Sequence, residues 1–260
     1  MLCRILLLIA ALASAPIRAE GTARPLLIAA ASDLRFALDE VLVEFRRAHP
    51  GHDARPAYGS SGTLFAQLDN GAPFDLFLSA DVKLPRQLIE RGRAGEDTLF
   101  LYAIGHLVVW VPRDSQLDVA RLGARALLDP SVRKVAIANP EVAPYGAAAV
   151  AALKHLGVHE AVRGRLVLGE NAAQAAQFLQ SRAADAGVIS LSLALAPGMR
   201  DAGRWWEVPA DSHPRLEQAG VIRTGAANRA GALALREFLT APAGRAILQR
   251  HGFTPPEAAK

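Results

Sequence analysis

The sequence predicts an α/β protein of two lobes, and three observations carry that prediction. Short runs of Val, Ile, Leu and Ala alternate with stretches whose apolar residues recur every three or four positions, the pattern of βα units on a largely parallel sheet. The composition is that of an ordinary globular chain, 51% hydrophobic and 21% charged with few aromatics, which argues against disorder. At 260 residues the chain is longer than one hydrophobic core usually grows. Its βα units also fall into two separated blocks, which favours two lobes with a cleft between them as the ligand site.

The first nineteen residues read as an export signal. Arg4 supplies the positive start, residues 5–13 are unbroken apolar sequence, and Ile17-Arg18-Ala19 offers a small residue before a cut, so cleavage is expected after Ala19. That apolar run is too short to span a bilayer. Cys3, the only cysteine, precedes it and leaves with it, so the mature chain would rely on its core and not on disulfides. The net charge is +4, or +2 once Arg4 and Arg18 are gone. Such a balance gives no reason to expect nucleic acid, and the basic pairs Arg46-Arg47 and Arg133-Lys134 have no interleaved aromatics.

In order along the chain, strands are expected over 26–31, 55–58, 76–79, 107–111, 134–138, 186–190, 205–208 and 220–223. The first is followed by Leu34, Ala37, Leu38, Val41, Phe45 and Ala48, an amphipathic helix that stops before Pro50-Gly51. Further helices are expected over 63–68, 83–91, 147–156, 171–183, 229–239 and 243–251.

Two serine turns stand out, each directly after a strand and before a helix: Ala30-Ala31-Ser32-Asp33-Leu34 and Gly59-Ser60-Ser61-Gly62-Thr63. The first N–H groups of a helix lack intrahelical partners and carry the positive end of the macrodipole. A hydroxyl beside them completes a neutral donor cluster able to hold an oxyanion without Lys or Arg. The plainer reading of Ser32 or Ser61 taken singly is an N-cap or turn residue. In the second block the same theme recurs at Asn139-Pro140-Glu141-Val142-Ala143-Pro144-Tyr145-Gly146, at Gly169-Glu170-Asn171-Ala172 and at Ser190-Leu191-Ser192.

The ordered set of these motifs resembles the periplasmic molybdate-binding proteins of bacterial ABC transporters. Gly71-Ala72-Pro73-Phe74-Asp75-Leu76-Phe77-Leu78-Ser79-Ala80-Asp81, His213-Pro214 and the ending Ala246-Ile247-Leu248-Gln249-Arg250-His251-Gly252-Phe253 belong to the same set. The resemblance implies a two-lobed type II periplasmic binding protein fold with the oxyanion site in the interlobe cleft. It places a signal peptide at 1–19, one lobe at 20–101 plus 211–260 and the other at 102–210, with crossings near 101–105 and 208–216. It further implies hydroxyl and backbone donors from Ser32 and Ser61, and a backbone N–H, in some relatives also a phenol, from Tyr145. Ala172 would donate through its backbone N–H. Ser190 stands where some relatives carry a ligand-binding tyrosine, and its shorter hydroxyl leaves a gap that water or Tyr145 would fill. Asp33 is expected to cap the helix starting near Leu34.

The ligand implied is molybdate or tungstate, bound as its oxyanion with no metal ligated by protein and no cofactor. The partners implied are that small oxyanion and a membrane permease, with the protein a periplasmic monomer. A site of neutral donors suits a fully deprotonated oxyanion, because roughly 1.5 to 3 kcal/mol per charge-assisted hydrogen bond over several bonds offsets desolvation. The alternatives are another oxyanion such as sulfate, or a secreted serine hydrolase. The second is poorly supported: Gly59-Ser60-Ser61-Gly62 is not a nucleophile elbow, and the consecutive Asp211-Ser212-His213 cannot converge as a triad. No enzyme activity and no catalytic residue is therefore expected. His155 and His159 have a metal-pair spacing, but Gly157 between them is expected to end the helix. Asp75 and Asp81 are expected to serve as caps or turn residues.

Overall fold

The computed structural model describes residues 24–256, so the expected signal segment and Cys3 lie outside the described residues. The first block runs β1 (Leu26–Ala31), α1 (Arg35–Ala48), β2 (Ala54–Gly59), α2 (Ser61–Asp69), β3 (Leu76–Ser79), α3 (Lys83–Glu90) and β4 (Phe100–Gly105). The second runs β5 (Leu107–Pro112), α4 (Val119–Leu122), β6 (Val135–Ala138), α5 (Pro144–His155), α6 (His159–Val162), β7 (Leu166–Gly169), α7 (Ala172–Gln180), β8 (Ala186–Ser190), α8 (Leu191–Ala194) and β9 (Gly203–Glu207). The chain then returns to the first sheet as β10 (Leu216–Ile222) and ends in α9 (Arg229–Thr240) and α10 (Pro242–Arg250).

Two five-stranded sheets result, ordered β2-β1-β3-β10-β4 and β7-β6-β8-β5-β9. In the first, β1 runs parallel to β2 and β3 while β10 is antiparallel to both its neighbours. The second repeats this with β6 parallel to β7 and β8, and β5 reversed between β8 and β9. In each sheet the reversed strand is the one that has just arrived from the other sheet. The polypeptide passes across first at His106, between β4 and β5, and again through residues 208–215. Residues 101–105, expected as a crossing, are strand β4 paired with β10.

The apolar runs that predict buried strands are buried on both faces, as parallel strands covered by helices require. Along β1 and β3, Ile28, Ala30, Leu76 and Leu78 pack with α1, α9 and α10 through Leu38, Phe45, Leu235 and Ile247. The alternate residues Ala29 and Phe77 pack on the opposite face with Leu64 and Leu68 of α2 and Leu88 of α3. Burying each such Leu, Ile or Phe contributes about 1.5 to 3 kcal/mol. The second lobe has its own core around Trp110, Ile137, Leu153, Leu179 and Val188. Ala31, Ala80 and Leu216 of the first lobe join that core, so apolar packing continues to the place where the lobes meet.

Gly157, at φ 71°, ends α5 just after His155, so His155 and His159 lie on different helices. Strand β7 was not expected: it is a four-residue edge strand with Leu168 exposed, too short for an alternation to register. Among the described residues no helix is long and apolar enough to cross a membrane.

Candidate functional site

The strand ends of both sheets deliver helix N-termini to one interlobe region. At the end of β2, Ser60 takes the capping role: its Oγ accepts from Thr63 N at 3.3 Å and donates to Thr63 Oγ1 at 2.7 Å. That leaves the next residue, Ser61, free of capping. Its Oγ accepts the N–H of Ala80 at 3.0 Å, which orients the hydroxyl and leaves its own proton to give. Ser32 behaves the same way across the lobes, its Oγ accepting the N–H of Ala173 in the first turn of α7 at 3.2 Å. Both serines are buried.

The second lobe presents its own helix ends. Asn171 caps α7 by accepting from Gln174 N, and Ala172 follows as the first helical residue, whose N–H has no intrahelical partner. Pro144 opens α5, where a missing N–H costs nothing, and Tyr145 comes next. The turn before α5 touches the first lobe directly, because Val142 O accepts from Gly62 N of α2 at 2.8 Å. A Cβ on Gly62 would stand 2.7 Å from that oxygen, so the approach requires glycine.

The structure thus brings Ser32, Ser61, Tyr145 and Ala172 to the seam between the lobes. Ser190 is buried there too, but its hydroxyl serves its own turn. Its Oγ is the α8 N-cap, accepting from Leu193 N at 3.4 Å, and it pairs with Ser192 Oγ at 3.1 Å.

The expected role of Asp33 is not what the structure shows. Residues Ser32–Leu34 form a 3-10 turn whose cap position, Ala31, has no side-chain hydrogen bond, so Asp33 is carried off the helix end. Its carboxylate is buried between the lobes instead. Oδ2 accepts from Gln218 Nε2 at 2.8 Å, and that same amide donates to Tyr145 Oη at 3.2 Å. Gln218 Oε1 in turn accepts from Tyr102 Oη at 3.0 Å, which has Ser79 O as a second acceptor at 3.2 Å. Ser192 Oγ donates to the Asp33 carbonyl at 2.9 Å. Asp33 Oδ1 is buried without a hydrogen-bond partner. Burial pushes the Asp33 carboxyl up to about 6, against the opposing pull of Gln218, Tyr145 and its own backbone. Burial likewise raises the Tyr102 and Tyr145 phenols, and the nearby Asp33 charge adds to both.

What this arrangement offers is a set of hydroxyl and backbone N–H donors, without any Lys or Arg in the hydrogen bonds just described. Such a set holds a compact oxyanion by preorganised dipoles. Asp211, Ser212 and His213 form no triad: Ser212 Oγ donates to Pro209 O and His213 Nδ1 lies against Pro214 O. Asp75 is a buried tie, its carboxylate accepting from Leu27 N and Asn228 N, and Asp81 accepts from Leu84 N in the first turn of α3.

Residues 26–254 match the bacterial extracellular solute-binding proteins. The chain belongs to this family. It is 32% identical over 246 residues to the molybdate-binding protein ModA of Azotobacter vinelandii, covering 95% of this chain and 96% of that one. It is 36% identical over 204 residues to the molybdate-binding protein ModA of Rhodobacter capsulatus, 78% of each chain. Among solved structures, the Azotobacter vinelandii periplasmic molybdate-binding protein superposes with a TM-score of 0.81 at 32% identity, covering 89% of this chain and all of that one.

Sequence reasoning missed Gln218 and Tyr102 as members of the interlobe seam. Gln218 sits where the β10–β4 register shifts, an irregularity of the kind that re-aims a side chain. The available signal was a polar amide directly before the apolar Ala-Gly-Val-Ile run.

Proposed function

We propose that this chain is an exported receptor that encloses molybdate, and also tungstate, between its two lobes and presents the closed form to an ABC transporter permease. One lobe comprises the first sheet with its helices, residues up to 105 and from 216, and the other comprises residues 107–207. Export follows cleavage after Ala19. The observation that carries the reading is the pair of buried serines, Ser32 and Ser61, each oriented by an accepted backbone N–H and each left with a proton to donate. Ser32, Ser61, the Tyr145 and Ala172 backbones and the Tyr145 phenol supply the donors. The names of relatives 32% and 36% identical over most of their length support molybdate as the ligand. Ser190 acts through Ser192, which it orients toward the Asp33 carbonyl.

Closure is the working step. A ligand that touches both lobes binds the closed arrangement better than the open one, and that difference shifts the population the permease meets. The test is thermal unfolding of ligand-stripped protein with molybdate, tungstate, sulfate or phosphate at equal concentration. A ligand at about 1,000 times its Kd stabilises the folded state by about 4 kcal/mol. A large upward shift with molybdate and tungstate alone is expected; a flat panel, or one led by sulfate or phosphate, overturns the assignment.

A further inference from the structure

The donor set has one member of the wrong sign. Asp33 follows Ser32 directly, is 2% exposed, and keeps one carboxylate oxygen without a partner while the other is held by Gln218. Its neighbours come from every element packed against it. Strand β10 brings Gln218, β4 brings Tyr102, α5 brings Tyr145, α8 brings Ser192 to its carbonyl, and α7 meets the adjacent Ser32 through Ala173. Arg35 of α1 is exposed and lies over the Tyr58 ring, and His106 responds to Glu207 and His213. Among the described residues, the titratable side chains set against Asp33 are therefore two phenols, and neither supplies a positive charge.

A dianion placed beside Ser32 meets this carboxylate across a short, water-poor distance. Two like charges in a buried site disfavour each other's ionisation. In its ionised form Asp33 also competes with the ligand for the donors of Gln218 and Tyr145. As the neutral acid it ends that competition and gains an O–H of its own. We propose that Asp33 couples oxyanion capture to protonation: the lobes close on a fully deprotonated dianion with Asp33 in its neutral acid form, so one proton enters with each ligand. This rests on the oxyanion reading above. With the carboxyl at about 6 in the unliganded protein, the proton must be taken from solvent at neutral pH and is already present in mild acid.

The experiment is calorimetric titration of wild type and Asp33→Asn with sodium molybdate, in buffers of differing ionisation enthalpy, at about pH 5 and about pH 7.5. Expected for wild type is uptake close to one proton per ligand at the higher pH and close to none at the lower. The affinity should weaken about tenfold per pH unit above about 6. The Asn variant, which keeps a neutral side chain with a donor, should show no uptake and a flat pH profile. Molybdate binding by wild type without proton uptake at the higher pH, or an unchanged slope in the variant, overturns the coupling and leaves the oxyanion reading standing. No molybdate heat at either pH overturns both. The wild-type measurement decides the matter even where the variant folds poorly.

Discussion

Replacing Gly62 by Ala separates the stability of one lobe from the closure of two. Gly62 is the second residue of α2, and its N–H reaches across to Val142 O at 2.8 Å. A methyl there would lie 2.7 Å from that oxygen and 3.1 Å from Val142 Cα. The oxygen cannot easily give way, because the turn carrying it is pinned by Val142 N and Ala143 N donating to Asn139 O at 3.3 and 2.9 Å. Overpacking of this kind costs about 1 to 3 kcal/mol, and it falls only on the arrangement in which the lobes touch. In the helix itself the change is favourable by up to about 1 kcal/mol, since alanine loses less backbone entropy than glycine. The two effects act on different states. Molybdate affinity should therefore drop about 5- to 150-fold, with the melting temperature of ligand-free protein unchanged or slightly higher. Calorimetric titration and a thermal melt measure the two quantities separately. Unchanged affinity would refute the reasoning, because it would mean that the bound form does not bring α2 against the turn at 139–143.

The remaining predictions touch the donors, the seam and the charge. Ser61→Ala should weaken molybdate binding by about 1 to 3 kcal/mol, seen by titration, with little change in the melt of the empty protein. Gly105→Ala would put a methyl 2.1 Å from Tyr145 Oη and 3.0 Å from Gln218 Nε2, so it too should raise Kd. Affinity should fall only modestly between low and high salt, and a steep loss would point to a cationic side chain in the site. Asp33 has a folded pKa raised above 3.8 to about 6, so its contribution to stability is full below the lower value and is lost as pH rises through the higher one. Urea unfolding of ligand-free protein should then show Asp33→Asn gaining on wild type by up to about 3 kcal/mol between about pH 4 and pH 7. A constant difference across that range would refute the buried, poorly compensated carboxylate.

Much of the fold was legible because both faces of the central strands are buried. An apolar run such as Leu26–Ala31, closed by a serine turn and followed by residues spaced for a helix, admits few readings. What failed was local. Strand β4, which leads directly into the crossing at His106, was not expected, because its pairing with β10 is not visible in one sequence. The polar pair Glu217-Gln218 hid the first half of β10. Asp33 was misread for a physical reason: an aspartate at a helix start is among the commonest N-caps. Only the intervening 3-10 turn, which costs the helix that cap, turns the side chain toward the other lobe. The motif pattern picked out Ser32 and Ser61, and the family resemblance added Tyr145 and Ala172; all four reach the seam, yet neither source gave a hint that Ser60 would take the capping duty and free Ser61.

The polar network behind those residues sets a buried carboxylate among neutral donors at the seam. Gln218 can satisfy Asp33 and Tyr145 with one amide group only because Tyr102 fixes the other end of that amide, so the orientation of three buried side chains is set from the first lobe. The second lobe contributes Tyr145, which shares the Gln218 amide, and Ser192, which donates to the Asp33 carbonyl. Separating the lobes would withdraw these second-lobe partners from Asp33, and bringing them together restores the network around the buried acid. Protonation state and lobe position are thus linked. An oxyanion that requires the closed, neutral form biases both at once. The same geometry makes the network a test of closure independent of ligand chemistry. Replacing Gln218 by Leu would leave Asp33 and Tyr145 without their shared donor, and the pH dependence of affinity should shift more than its value in mild acid, where the acid is already neutral.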